Sequence, residues 1–267
     1  MVEGLLAARA TIRLMLLGLV AGNTSLRIGL FSARTILEWR RIEWAELDRR
    51  GSEISALVAG GSVSECVAGS VRDDLLDLVG AWLPHGLWPP QLARRDFPIP
   101  IENRYFPPED VGTDRLLNAL AVRELSQVGA SVAVDFGTAV SVSVVSWDRV
   151  FVGGAIAAGG KTLAQGLKAA APRLPLVEPA TVSGWIQNRT VEGVQSGVYW
   201  QVAGGVRAIV QGILRELGPS HSGATTRPRV FATGGEAHLF APAIAEIDEV
   251  VPELTLQGLA YASSLRE

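Results

Sequence analysis

The stretch Leu16-Leu17-Gly18-Leu19-Val20-Ala21-Gly22-Asn23-Thr24 is matched, about half the chain later, by Val134-Asp135-Phe136-Gly137-Thr138-Ala139. Each is an apolar run that enters a short turn carrying Gly followed by Asn or Thr, and a second apolar run leaves it. The flanking runs are Leu14–Val20 and Leu26–Ser32 in the first case, and Ala130–Val134 and Val140–Ser146 in the second. Apolar runs bounded by a glycine turn read as paired strands. A unit that recurs at half the chain length is far too long-period for a solenoid, whose repeats run about 20–50 residues. It implies two domains of one fold.

Working outward from the first turn, Ile54–Val58 reads as a third strand and Cys66–Ser70 as a further one. Asp73–Leu83 reads as a helix, with Leu75, Leu76, Leu78 and Val79 at helical spacing and Asp73, Asp74 and Asp77 near its start, where the macrodipole favours acids. His85–Pro108, rich in proline and aromatics, is a connector, and Asp114–Leu125 is a helix with Leu116, Leu117, Leu120 and Ala121 on one face. Beyond the second turn, Trp147-Asp148-Arg149 turns into a strand over Val150–Ile156, and Gly159-Gly160 opens a helix that runs through Ala171. Arg189–Leu217 is a long helical region with a break expected near Gly204-Gly205. The polar Ser220–Arg229 is a loop, and Val230–Thr233 is a strand ending on Gly234-Gly235. The expected division is an extension over 1–13, a first domain over 14–126 and a second over 127–267.

Composition narrows the function classes. With 267 residues, 48% hydrophobic, the chain has material for a real core, which excludes intrinsic disorder. A formal net charge of −3 gives no basic excess, so no nucleic-acid partner and no membrane partner is expected from bulk charge. One cysteine and three histidines exclude a disulfide framework and a Cys/His zinc site. The apolar run Leu14–Val20 follows Arg9 and Arg13 but falls far short of the ~20 residues that span a bilayer. It leads straight into the Gly22 turn, so a first strand in a cytoplasmic chain is expected rather than a signal segment. The partners are small molecules or a second copy.

Small residues at a strand-to-strand turn let an anion approach the backbone N–H groups. The hydroxyls of Thr24 and Thr138 can add hydrogen bonds to phosphate oxygens, and two such turns facing across a cleft would hold a polyphosphate from both sides. Asp135, at the end of its strand, can bind a cation directly or through water. One glycine alone would simply make a hairpin; the pairing of the two favours phosphate.

Further segments complete an ordered set: Tyr105-Phe106-Pro107-Pro108-Glu109-Asp110-Val111-Gly112-Thr113-Asp114-Arg115, Gly153-Gly154-Ala155-Ile156-Ala157-Ala158-Gly159, Thr190-Val191-Glu192-Gly193-Val194-Gln195-Ser196-Gly197, Ala232-Thr233-Gly234-Gly235 and Leu254-Thr255-Leu256-Gln257-Gly258-Leu259. With the two turns, this set resembles the type III pantothenate kinase family, in the superfamily of actin, sugar kinases and Hsp70. The resemblance implies an α/β fold of two tandem ribonuclease-H-like domains, each a mixed sheet flanked by helices, with a nucleotide cleft between them. It also implies ATP-dependent phosphorylation of pantothenate, the first step of coenzyme A biosynthesis.

By the same resemblance Asp114 is the catalytic base, and Tyr105, Gly112, Thr113, Asp114 and Arg115 contact pantothenate. Thr190 reaches the substrate of a neighbouring subunit, which implies a homodimer. Gly22, Asn23, Thr24, Arg27, Gly137, Thr138, Gly234 and Gly235 match nucleotide-binding positions. Asp135 matches a ligand of a monovalent cation, potassium or ammonium, and Mg2+ is expected with the ATP. Read from the residues alone, Asp114 is more simply a helix-start acid facing the macrodipole, and Arg115 a solvated partner to a surface acid.

The chain departs from the family pattern at Val20, where an aspartate that helps hold magnesium is usual. It departs also at Ser141 and Ser143, in place of threonine and an acid, and at Gln187, in place of glycine. Two readings follow: a divergent but working kinase, or a catalytically impaired homologue that serves as a ligand-binding regulator or partner subunit.

Overall fold

The computed structural model describes residues 15–59, 63–70, 72, 74–127, 129–219 and 227–266. Among the described residues ten strands form two five-stranded sheets. The first holds β1 (Met15–Ala21), β2 (Ser25–Ser32), β3 (Thr35–Glu43), β4 (Val63–Ser70) and β5 (Gln91–Leu92) in the order β3-β2-β1-β4-β5. The second holds β6 (Ser131–Phe136), β7 (Ala139–Val145), β8 (Phe151–Ala158), β9 (Arg229–Thr233) and β10 (Glu249–Val250) in the order β10-β9-β6-β7-β8. In both, the first three strands form an antiparallel meander and the fourth pairs parallel with the first: β4 with β1, β9 with β6. This is the duplication that the two turns imply, in the tandem ribonuclease-H-like form that the resemblance implies.

Among the described residues eight α-helices cover the sheets: α1 (Leu47–Arg50), α2 (Ser52–Ala59), α3 (Leu75–Val79), α4 (Thr113–Ser126), α5 (Gly160–Ala170), α6 (Thr190–Leu217), α7 (Ala237–Phe240) and α8 (Leu254–Ser264). The outer face of the first sheet, with Leu17, Leu19, Leu26 and Ile28, packs on Leu47, Ile54, Leu57 and Leu75. The far face of the second, with Val132, Val134 and Phe136, packs on Tyr199, Val202 and Val206 of α6 and Phe240 of α7. Between the sheets lie α4 and α8. Leu117 and Leu120 of α4 and Leu256 and Leu259 of α8 meet Val20, Phe31 and Val67 of the first sheet. Leu116, Ala119 and Val122 of α4 turn the other way, onto Ala133, Val145, Phe151 and Phe231. Burial of each such side chain is worth about 1.5–3 kcal/mol, so α4 is an interior helix tied to both sheets. The two inner helices touch closely: a Cβ at Gly258 of α8 would collide with the Leu117 carbonyl.

Several expectations are corrected. Ile54–Val58 is helical, within α2: Ile54 and Leu57 are buried while Ser55 and Ala56 between them are exposed, a helical rather than an alternating pattern. Arg50, bonded to Glu46 at 3.0 Å and to Glu53 at 2.7 Å, ties this region at spacings of four and three residues. The third strand is instead β3, an edge strand whose charged Glu38, Arg40, Arg41 and Glu43 hide it from a search for apolar runs. The long helix α6 runs unbroken through Gly204-Gly205, because Val202, Ala203, Val206 and Val210 keep one buried face across the pair. Asp135 and Phe136 belong to β6, not to the turn. Of Asp73–Leu83, α3 covers only Leu75–Val79, followed by a tight turn over Gly80–Trp82. Asp73, Leu14, the extension 1–13 and residues 220–226 of the Ser220–Arg229 loop lie outside the described residues.

Candidate active site

β1 and β6 are the central strands of their sheets, and both run toward a cleft of about 490 Å³ into which the two glycine turns project. The first turn is braced from β3's end: Trp44 donates its indole N–H to the Gly22 carbonyl at 2.9 Å and its backbone N–H to the Thr24 carbonyl at 3.0 Å. The second is braced by α5: the Thr138 carbonyl accepts from Gly159 N at 3.0 Å and from the Thr162 hydroxyl at 2.6 Å. A Cβ at Gly22 or Gly137 would meet its nearest neighbour at an ordinary 3.5 Å, so the fold itself does not demand glycine at either turn. What the missing side chain leaves is open approach to the backbone. Gly234 is different: its φ of +97° suits glycine, and a Cβ there would collide with Asp135 Oδ1.

Asp135 ends β6 and is 8% exposed. Its Oδ2 accepts from Asn118 Nδ2 at 3.2 Å, while Oδ1 is buried without a hydrogen-bond partner. Leaving a charged oxygen buried and unpaired is costly, and a cation beside it removes the cost. The nearest positive group is Arg27 of β2, whose Nη2 stands 3.8 Å from Asp135 Oδ1 and whose Nη1 donates to the Thr255 hydroxyl at 2.8 Å.

Asp114, the second residue of α4, faces the same cleft from the inner layer. One carboxylate oxygen accepts from Arg115 N at 2.8 Å. Burial, and then the charge of Asp135, push its carboxyl above the ordinary carboxylate range. That raises its strength as a base toward neutrality. Arg115 is buried behind it, with its guanidinium 5.4 Å from the Tyr105 ring and 5.5 Å from the Phe151 ring. Its Nη2 reaches the Val142 carbonyl at 3.5 Å and its Nε has no partner, so a stacked cation with unspent donors stands beside the acid. Gly112 caps α4, its carbonyl accepting from Arg115 N and Leu116 N, and Thr113 is buried in the first turn.

Of the residues expected from sequence, Gly22, Asn23, Thr24, Arg27, Asp114, Asp135, Gly137, Thr138 and Gly235 share this one cleft. Gly234 adjoins it through Asp135. Tyr105, Gly112, Thr113 and Arg115 connect to it through the start of α4 rather than lining it. Thr190 does not join them. It sits exposed on a separate groove of about 710 Å³ between α5 and α6, beside Leu163, Leu167, Val194 and Val198.

The sequence reading missed Arg41, Glu43, Lys161, Glu236 and His238, which also line the cleft. Arg41 lies on the unrecognised β3, donates its Nε to the Ser25 hydroxyl at 3.1 Å and pairs with Glu43 at 2.9 Å. Glu236 accepts from Gly160 N at 2.9 Å and Lys161 N at 3.3 Å, capping the start of α5. An acid directly after Gly234-Gly235 is visible in the sequence, but nothing local marks it as a cap for a remote helix.

Two repeated mixed sheets with turns meeting at a shared cleft define a duplicated α/β protein. Solved structures bear out the fold: a Baf family protein from Campylobacter jejuni aligns with a TM-score of 0.55 at 14% identity, covering 92% of this chain and 96% of that one. The ethanolamine utilization protein EutJ from Carboxydothermus hydrogenoformans aligns at 0.51 and 11%, covering 93% and 89%. At the level of sequence, the family model for type III pantothenate kinase matches residues 16–212. The chain is 34% identical to the type III pantothenate kinase of Rhodococcus opacus (strain B4), over 92% of this chain and 93% of that protein. It is 33% identical to that of Desulfatibacillum aliphaticivorans, over 92% and 96%. The chain belongs to the type III pantothenate kinase family.

Proposed function

We propose that this chain transfers the γ-phosphoryl group of ATP to the 4′-hydroxyl of pantothenate, the first step of coenzyme A biosynthesis. One observation carries the reading beyond family membership. Asp114 stands at the junction of the two halves of the site, next to the aromatic-stacked Arg115 on one side and open to the phosphate turns on the other. Arg115 offers a guanidinium for the pantothenate carboxylate, with Tyr105, Gly112 and Thr113 around it. That anchoring presents the hydroxyl to Asp114, which accepts its proton as the oxygen attacks phosphorus; the leaving ADP stays on the turns. Phosphoryl transfer demands chiefly positioning and charge neutralisation, and Gly22, Asn23, Thr24, Arg27, Gly137, Thr138, Gly234 and Gly235 serve that on the nucleotide.

The unpartnered Oδ1 of Asp135 and the cradle left by Gly234 fit a cation, so Asp135 would hold a potassium or ammonium ion, which supplies positive charge beside the phosphates. The first turn does not fit a protein-held magnesium ion: Val20 is 3% exposed, apolar, and offers no ligand. Any magnesium enters as the counter-ion of ATP.

Thr190 would act on the pocket of a second copy, in a homodimer. Its place away from Asp114, beside the exposed Val191 and near the apolar groove of α5 and α6, supports that role. Among the described residues no helix is long and apolar enough to cross a membrane, and a cytoplasmic reaction suits its ATP donor.

A coupled ADP-release assay with pantothenate, magnesium and potassium tests the reading. ADP release that requires pantothenate is the expected result; release indifferent to pantothenate, or none under any of these conditions, overturns it.

A further inference from the structure

Val20, Arg27 and Arg41 form one row across the first sheet: Val20 is paired with Arg27 between β1 and β2, and Arg27 with Arg41 between β2 and β3. Directly opposed residues of antiparallel strands point to the same face, and all three line the cleft. The matching row of the second sheet is Asp135, Ser141 and Ile156. The first turn therefore offers guanidinium groups on the face where the second offers a carboxylate.

Resting on the nucleotide-binding reading above, we infer that Arg27, supported by Arg41, neutralises the phosphates at the first turn, so that this chain grips a nucleoside triphosphate without a divalent ion held there by the protein. Val20 cannot ligate a metal and is buried in one apolar cluster with Val67, Leu117 and Leu259. Arg27 is held for another acceptor: Thr255 fixes Nη1, while the 3.8 Å from Nη2 to Asp135 is beyond hydrogen-bond reach and leaves donors free. Like charges directly opposed on neighbouring strands repel; Glu43 offsets Arg41 at 2.9 Å, while Arg27 has only the longer 3.8 Å approach of Asp135. A polyanion between the two guanidinium groups relieves both, and the planar fork of arginine matches phosphate oxygens in pairs. Arg41 also closes on the Gly234-Gly235 turn, where a Cβ at Gly235 would collide with its guanidinium, so its charge spans the cleft from one sheet to the other.

The test is calorimetric titration of the full-length protein with a non-hydrolysable ATP analogue, in EDTA and in magnesium. The unmodified chain is expected to bind in EDTA within about tenfold of its affinity in magnesium. Arg27→Ala is expected to lose about 10- to 100-fold of the EDTA affinity, the range for a hydrogen bond to a charged group. Arg27→Lys keeps the charge without the fork and is expected to fall between them; it also serves if the alanine variant fails to fold, with thermal melts as the control. Loss of binding by the unmodified chain in EDTA, or a folded Arg27→Ala or Arg27→Lys that binds in EDTA as the unmodified chain does, overturns the inference. The parallel ADP-release assay separates this from the kinase reading. Pantothenate-dependent release with Arg27 irrelevant to EDTA binding sinks only the Arg27 assignment. Arg27-dependent EDTA binding with no pantothenate-dependent release sinks only the kinase assignment.

Discussion

The β1–β2 and β6–β7 turns are one structural unit used twice, with opposite electrostatics. At the first, an apolar Val20 is followed across the sheet by Arg27 and Arg41; at the second, the buried Asp135 is followed by the small, polar Ser141. The backbone scaffold is preserved because each central strand is enclosed by helices on both sides. The side chains at the strand ends differ within that scaffold, and under the proposed function they divide the work: one turn would bring guanidinium groups to the phosphates, the other a buried carboxylate that accepts no hydrogen bond at Oδ1. Asp114 approaches from α4, between the sheets, and belongs to neither turn.

The largest effect expected on this division is at Asp114. Asp114→Asn keeps shape and hydrogen bonding but removes the basicity, so turnover in the ADP-release assay should fall about 10²–10⁴-fold, the usual contribution of a general base. Calorimetric affinity for the nucleotide should change little, because both turns are intact. Turnover within a few-fold of the unmodified chain would make Asp114 merely an acid at a helix start.

Next come the glycines, which sharpen the contrast between a position the fold demands and one it leaves open. Gly234→Ala forces a Cβ into the Asp135 carboxylate at a φ of +97°, and a cost of about 1–3 kcal/mol is expected in denaturant unfolding. Gly22→Ala meets only a 3.5 Å contact, so its melting should match the unmodified chain while nucleotide affinity drops. Equal destabilisation by both would mean that Gly22 is structural after all.

A smaller, several-fold effect is expected from Val20→Asp. The new carboxylate would lie directly opposite Arg27 on the neighbouring strand and draw off its free donors. Affinity for an ATP analogue in EDTA should fall and its dependence on magnesium should steepen, converting the first turn from guanidinium-based to metal-based charge compensation. Unpaired burial of a carboxylate costs several kcal/mol, so a melt must show that the variant folds. Unchanged affinity in EDTA would show that Arg27 is not the group holding the phosphates.

The duplication itself was legible because β6 and, from Leu17 on, β1 are buried and so read as continuous apolar runs, with glycine turns punctuating them. The helix α4 was legible for the same reason, although its two-sided packing was not: Leu116 and Leu117 are adjacent in sequence yet meet different sheets. The edge strand β3 was not legible, since an exposed edge carries charges in place of alternation, and Arg41 was lost with it. Arg50's bonds to Glu46 and Glu53 are the local signal that separates the helical Ile54–Val58 from a strand, and an apolar-run search does not weigh them. The glycines and hydroxyls of the turns were found from sequence, whereas Glu236, although it directly follows Gly234-Gly235, was not, because its partner Gly160 is near only after the second sheet has closed. The Arg27–Asp135 approach is likewise a product of two separate sheets meeting, which no spacing encodes.

The smallest effect expected concerns stability, and it measures how strongly the two halves of the site interact. In the folded chain the Asp114 carboxyl is raised above its unfolded value by burial first and by Asp135 second. The folded state then holds its proton more firmly than the unfolded state does. That stabilising contribution is complete below the unfolded value, near 3.8, and is lost as pH rises through the higher folded value. At pH 7 the ionised Asp114 therefore burdens the fold. The neutral Asp114→Asn, whose side-chain oxygen can still accept from Arg115 N, should melt higher than the unmodified chain at pH 7, with the difference shrinking as pH falls toward 3.8. Part of the burden comes from Asp135 across the cleft. In an Asp135→Asn background the gain from Asp114→Asn should be smaller, and the shortfall between the two is the coupling of the residues. Melts of the four proteins at pH 7 and in acid, without nucleotide, give that number directly. An Asp114→Asn variant that melts lower at pH 7 would mean that the carboxylate is satisfied in the folded chain, leaving no strained acid between the turns to act as a base.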